Sequence, residues 1–350
     1  MDIELLKWLD SLSADGDIIL RVKRVNRLTS AEAKTAIGNR PVYDLSLAYL
    51  ANGKNVSITN LNGHTIGIRL PYTPASTEQN SRLFVVYVDS NGKVEWLINS
   101  SYNENLGAVL FEASHFSIYG IGYQKTASSY QDISDHWAKD SIIFATSRDL
   151  LSVTGKRQFS PEAGITRGAL ATVLGKMAGI DPADYKTGKF IDVPPKASYA
   201  PYVNWAASTG IISTTNQIAF APNAGVTREQ LAVILTNYAK TMGYDLPTVH
   251  KAVTFADQGQ ISNPAKTAVS ATQQAGILPG KDGNRFDPQT TATRAETATA
   301  LRRFIETVID PQTAQGWVQN HSGKWNYYRN DVMVVNTTVR TVRYTVVPST

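Results

Sequence analysis

Three arginines stand in the same local setting. Thr166-Arg167, Thr227-Arg228 and Thr293-Arg294 each place the arginine six residues beyond a Phe-x-Pro proline, at Phe159-Ser160-Pro161, Phe220-Ala221-Pro222 and Phe286-Asp287-Pro288. A threonine hydroxyl just ahead of a helix accepts one of the orphan backbone N–H groups, so each arginine is expected in a first helical turn. That is the unfavourable end for a cation, because the helix dipole is positive there. Two chemistries would justify the placement. In one, the guanidinium fork, the free N–H groups and the dipole converge on a carboxylate or phosphate. In the other, each arginine pairs inside the chain with an aspartate, Asp132, Asp192 or Asp257, and ties loop to helix. The residues alone leave both open.

The elements that must hold these residues recur as well. Each copy opens on aromatic-x-Asp, at Tyr130-Gln131-Asp132, Phe190-Ile191-Asp192 and Phe255-Ala256-Asp257. An amphipathic stretch follows, ending in Leu150-Leu151, Gly210-Ile211-Ile212 and Gly276-Ile277-Leu278, and the Phe-x-Pro step comes next. The arginines are 61 and 66 residues apart, a period that reads as stacked copies sharing a core. Thr227 with Gln230 and Thr293 with Glu296 make capping boxes, while Ala169 leaves the first copy without one. After each arginine, core-facing residues are expected at helical spacing: Leu170, Val173, Leu174 and Met177; Leu231, Ile234, Leu235 and Tyr238; and, as a weaker stripe, Thr297, Ala300, Leu301 and Phe304.

These residues, with the Trp137-Ala138 pair and the Thr-Arg-Ala-Glu of the third copy, resemble the S-layer homology domain in three consecutive copies, over residues 130–188, 189–253 and 254–310. The resemblance implies an all-α bundle with pseudo-threefold symmetry. It also implies grooves that bind secondary cell-wall polysaccharide of Gram-positive bacteria, often bearing a pyruvate ketal whose carboxylate would suit the arginines. The glycan contacts it implies are Arg167, Arg228, Arg294, Asp132, Asp192, Asp257 and Trp137. Tyr199 stands near the tryptophan place in the second copy and Pro264 in the third.

Ahead of the repeats, residues 16–124 read as short strands. Asn91-Gly92 between Arg82–Asp89 and Lys93–Ser100 is a strong hairpin signal, and Asn52-Gly53 and Asn62-Gly63 punctuate earlier runs. Further runs at Val42–Leu50, Asn55–Thr59, Thr65–Leu70, Ala108–Ala113 and Phe116–Tyr123 complete a β-sandwich pattern. Residues 1–15 read as a helix and linker, Ala31–Ile37 as an interrupting helix, and 125–129 as a polar linker. The fold class expected is thus multidomain, a β-sandwich followed by the all-α threefold bundle. His115-Phe116-Ser117 is similar to the self-cleavage tripeptide of ZU5-type domains. Residues 316–350 resemble part of a cell-wall-binding repeat of the choline-binding type, with Trp317, Trp325, Tyr327 and Tyr328 as secondary sugar-stacking candidates.

Other classes find little support. Of the 350 residues 42% are hydrophobic and 18% charged, which suits globular domains. The chain has no cysteine, so disulfides and thiolate chemistry are excluded. Residues 1–125 balance 12 basic against 12 acidic side chains, and the net +5 is spread without a basic block, so no nucleic-acid footprint is expected. No run is long and apolar enough to span a membrane. The five histidines show no metal-ligand spacing, and no nucleophile elbow or phosphate-cradling loop is present. No catalytic residue, cofactor or metal is expected. The acidic start Met1-Asp2-Ile3-Glu4 lacks a leader layout, so the reading is a fragment of a secreted protein held at the cell surface by wall polysaccharide. The alternative is the anchoring part of a glycoside hydrolase with its catalytic domain upstream. Oligomeric state is left open.

Overall fold

The computed structural model describes residues 3–12, 18–51, 53–124, 130–155, 157–214 and 218–309, with strand segments at 316–319, 325–329, 332–333 and 344–346. The expected linker 125–129 lies outside these residues. The chain divides into two compact units, Met1–Lys125 with Ile309–Thr350, and Thr126–Val308.

The first unit holds α1 (Ile3–Leu12), β1 (Ile18–Arg24), α2 (Ala31–Ile37), β2 (Val42–Ala51), β3 (Lys54–Ile58), β4 (Ile66–Pro71), β5 (Leu83–Val88), β6 (Val94–Leu97), β7 (Ser100–Asn103), β8 (Ala108–Ala113) and β9 (Ile118–Tyr123). One sheet runs β1-β2-β9-β5-β6 with β3 also on β2, and a second runs β4-β8-β7. Alternating inward residues of both sheets, among them Leu45, Leu47, Leu70, Val85, Val109, Phe111 and Ile121, make one apolar core. Leu5 and Leu9 of α1 are buried in the same core, so the residues read as a leading helix are part of this unit's interior. β5 is buried on both faces because α2 covers the other one, through Ala33, Ala36 and Ile37 against Val86 and Val88. Glycine is needed at 120 and 122 of β9: a Cβ there would meet Ile37 Cδ1 at 2.6 Å and Val86 Cγ2 at 2.4 Å.

The run read as a strand from Lys93 to Ser100 holds β6, which stops at Leu97, and a further strand, β7, begins at Ser100. β6 pairs with β5, whereas β7 crosses to the second sheet and pairs with β8. Ser100 makes the corner: its hydroxyl donates to Leu97 O at 2.6 Å and accepts from Val85 N at 2.9 Å.

The second unit corrects the all-α expectation. Each repeat contributes two helices: α3 (Lys139–Ser147) and α4 (Arg167–Met177), α5 (Ala200–Ser208) and α6 (Arg228–Met242), α7 (Lys266–Gln274) and α8 (Arg294–Ile309). They are short pieces of 9, 11, 9, 15, 9 and 16 residues. Between them the chain runs through 3-10 turns, loops and isolated β-bridges, and this is no all-helical bundle. The reason is local: Pro161, Pro222 and Pro288 cannot continue a helix, and Ser160, Ala221 and Asp287 before them take the left-handed conformation, with φ of 56°, 58° and 54°.

What joins the repeats is a cycle of backbone hydrogen bonds. Val226 N donates to Ile165 O (3.0 Å), Ile165 N to Ala292 O (2.9 Å) and Ala292 N to Val226 O (2.9 Å). Around it Arg167 N donates to Ala224 O, Arg228 N to Thr290 O and Arg294 N to Ala163 O, at 2.9, 2.9 and 2.8 Å. Each second helix therefore starts against the Phe-x-Pro loop of another repeat.

Beyond the repeats, β10 (Gly316–Gln319), β11 (Trp325–Arg329) and β12 (Val332–Met333) form a three-stranded antiparallel sheet. β13 (Tyr344–Val346) adds to β1 in parallel, at the edge of the larger sheet.

Candidate functional site

The threonines cap as their positions demand. Thr166 Oγ1 accepts from Ala169 N (3.3 Å), Thr227 Oγ1 from Gln230 N (3.3 Å) and Thr293 Oγ1 from Glu296 N (3.1 Å). Gln230 and Glu296 reach back to the N–H of Thr227 and Thr293, closing both capping boxes.

The aspartates organise the Phe-x-Pro turns. Asp192 accepts from Phe220 N (2.9 Å) and Ala221 N (2.7 Å), and Asp257 from Phe286 N (2.8 Å) and Asp287 N (2.7 Å). Asp132 does the same with Phe159 N and Ser160 N. The left-handed residue turns two successive N–H groups toward one carboxylate, a small anion nest. The Phe220 N–H bond chiefly holds the Asp192 carboxyl below its ordinary value, against partial burial and with Arg167 assisting. At Asp132 and Asp257 burial is the largest influence and opposes ionisation, yet the backbone N–H donors outweigh it and both carboxyls again lie low.

The arginines grip the far side of the same turns, each in a different repeat from its own. Arg167 Nε donates to Phe220 O (2.8 Å), Arg228 Nε to Phe286 O (2.7 Å) and Arg294 Nε to Phe159 O (2.9 Å). Each guanidinium also lies over that phenylalanine ring, at 4.6, 5.1 and 4.5 Å from its centre. Hence the aspartate holds the N–H side of the turn and the arginine its carbonyl side. The outer nitrogens differ. Arg167 Nη2 donates to Ser213 O and Arg294 Nη2 to Ser152 O. In the third loop Pro279 stands at that place, and Arg228 Nη1 pairs instead with Glu296 at 3.1 Å.

Arg228 and Trp137 come together in a groove of about 600 Å³, walled by the third loop (Ile277–Asp282, Arg285, Asp287) and by Glu296, Thr299, Ala300 and Arg303 of α8. Three repeats contribute to it: Trp137 from the first, Arg228 from the second, the rest from the third. Trp137 is 66% exposed and is no core residue. Lys281 bridges Glu296 (2.9 Å) and Asp287 (3.4 Å) within the groove. Arg167 and Arg294 do not line it.

Sequence reasoning missed Lys281, Arg285 and Arg303. Their signal was compositional: Thr154 and Gln158 stand in the first loop where Lys281 and Arg285 stand in the third. Among the secondary aromatics, backbone register sets Trp317 opposite Tyr327 and Trp325 opposite Gln319, with Tyr328 opposite Gly316 and Met333. At the His115-Phe116-Ser117 tripeptide, Tyr119 OH donates to His115 O (2.8 Å), Phe116 packs on the β core, and Ser117 O accepts from Leu45 N. These are strand-end contacts.

Residues 129–171, 189–232 and 254–298 match the family model of the S-layer homology domain. The chain carries three S-layer homology domains. Such domains are cell-wall-binding, surface-anchoring modules and are not themselves catalytic. The chain is 29% identical over 266 residues to an amylopullulanase of Thermoanaerobacterium thermosulfurigenes, covering 73% of this chain and 14% of that protein. It is 30% identical over 255 residues to exoglucanase XynX of Acetivibrio thermocellus, covering 71% and 22%. An S-layer protein of Bacillus thuringiensis subsp. finitimus is 26% identical over 174 residues, 49% of this chain and 20% of that one. This chain thus spans at most about a fifth of the length of these relatives. No described helix is long and apolar enough to cross a membrane.

Proposed function

We propose that the chain anchors a secreted protein to the bacterial surface by holding secondary cell-wall polysaccharide, a pyruvylated glycan, against its S-layer homology repeats. The observation that carries this reading is the groove where Arg228 and Lys281 face an exposed tryptophan. A ketal carboxylate suits the cations, and a sugar face suits the ring. Arg228 and Trp137 are the direct contacts in this reading. Asp132, Asp192, Asp257, Arg167 and Arg294 frame the loops around the glycan. The aromatic strands β10 and β11 fit an auxiliary sugar contact of the choline-binding type.

The names of the amylopullulanase and exoglucanase relatives favour a second reading at the level of the whole protein: these are the anchoring modules of a glycoside hydrolase. Extending the reading frame upstream separates the two, because a catalytic-sized domain there belongs only to the second.

The anchoring reading is tested by measuring wall-polysaccharide affinity and Tm on the same three mutants. Arg228→Ala is expected to weaken binding roughly ten- to a hundredfold, the worth of one charge-assisted hydrogen bond. Arg167→Ala and Arg294→Ala are expected to lower Tm with a smaller loss of affinity. Unchanged affinity in all three would sink the reading.

A further inference from the structure

The three repeats are alike at one further position, nine residues beyond the repeat arginine: Lys176, Asn237 and Arg303. In the first two copies that side chain is taken up by its own repeat's loop. Lys176 Nζ donates to Asp149 O and to Asp149 Oδ2, each at 2.7 Å, and Asn237 Nδ2 donates to Ile211 O at 3.3 Å. Arg303 makes no such bond. Among the described residues it has neither a hydrogen bond nor an ion pair, and Glu306, the carboxylate that acts on it electrostatically, is bonded to Arg302 at 2.9 Å. It is exposed and lines the groove.

Its position along α8 gives the groove a length. Glu296, Thr299, Ala300 and Arg303 follow one helical face at i, i+3, i+4 and i+7. Two turns of α-helix put the Glu296 end and the Arg303 end about 10 Å apart, roughly two pyranose rings end to end. At the near end Arg228 and Lys281 cluster on Glu296. At the far end stands Arg303, with no hydrogen bond or ion pair among the described residues, and on the α8 face between the ends lie Thr299 and Ala300.

We propose that Arg303 is a second anion contact, and that the groove selects a glycan segment bearing two acidic groups about two helical turns apart. This rests on the anchoring reading and deepens it: Arg303 distinguishes the third copy from the first two, whose equivalent side chains are hydrogen-bonded within their own repeats.

Galacturonic acid and its dimer and trimer are probes of graded charge spacing, titrated calorimetrically into the full chain. The expected result is a gain of about tenfold in affinity from dimer to trimer. Arg303→Gln abolishes that gain without changing monomer binding, and Arg303→Lys retains part of it. A wild type with no gain at the trimer, or a gain that survives Arg303→Gln, overturns the proposal. Sedimentation of Arg228→Ala with purified cell walls keeps the two readings apart. Undiminished wall binding there with an intact trimer gain would remove the anchoring role and leave Arg303 as an anion contact.

Discussion

Asp192 shows how much one side chain holds. Its carboxylate carries two backbone N–H groups of the turn whose carbonyl takes Arg167. Asp192→Asn keeps the shape but loses the charge, and Tm should fall by the equivalent of about 1.5–3 kcal/mol at neutral pH. A carboxyl held below its ordinary value stabilises the fold above the unfolded-state pKa, near 4, and loses that contribution as pH drops through the folded value. Wild-type Tm should therefore decline below about pH 4, and the Asn variant should decline less. Thermal melts across that range check both. Arg294→Lys is expected to destabilise as well, because an ammonium cannot span Phe159 O and Ser152 O while lying flat on the Phe159 ring. Circular dichroism melts of the Lys and Ala variants should rank wild type above Lys and Lys above Ala.

Among the elements, the Phe-x-Pro turn decides the architecture. Ala221 sits at φ 58° with a Cβ it has no use for there. Ala221→Gly should raise stability by up to about 1 kcal/mol, and Ala221→Val should lower it, since a β-branched residue tolerates that region poorly. Paired denaturant titrations would show the opposite signs. This turn also marks where sequence reading stopped. The 3.6-residue periodicity found the second helices, and Leu170, Leu231 and Leu301 are all fully buried. It could not find the left-handed residue before each proline, because serine and alanine occupy it in the first two copies and only the aspartate of the third is a residue that favours that conformation. The same limit applied at β6 and β7, where the polar Asn99-Ser100-Ser101 does not say that the chain changes sheets at the corner Ser100 makes. The pairing of Asn91-Gly92 with β5 and β6 was legible because its signal is local.

At the scale of the whole molecule, the unread information is long-range. Each repeat arginine was visible, but its partner lies 53, 58 or 135 residues away in another repeat, and spacing within one copy says nothing of that. Residues 126–188 alone would keep α3 and α4 yet lose both neighbours of Ile165. Such a fragment should show no cooperative melt, and a sharp transition would contradict the interlocked arrangement. A fragment of the β unit should behave differently if it begins at residue 1: dropping α1 removes Leu5 and Leu9 from the core. Residues 1–124 should fold, and residues 16–124 should be markedly less stable. The cyclic bonding among Ile165, Val226 and Ala292 has a mechanical side. Open arrays of repeats fray from their ends, because an end copy has a single neighbour. Here the first copy is gripped by the second and also by the third, so the array has no end to peel. An anchor pulled by shear at the cell surface would then yield in one step, at a force set by all three junctions together.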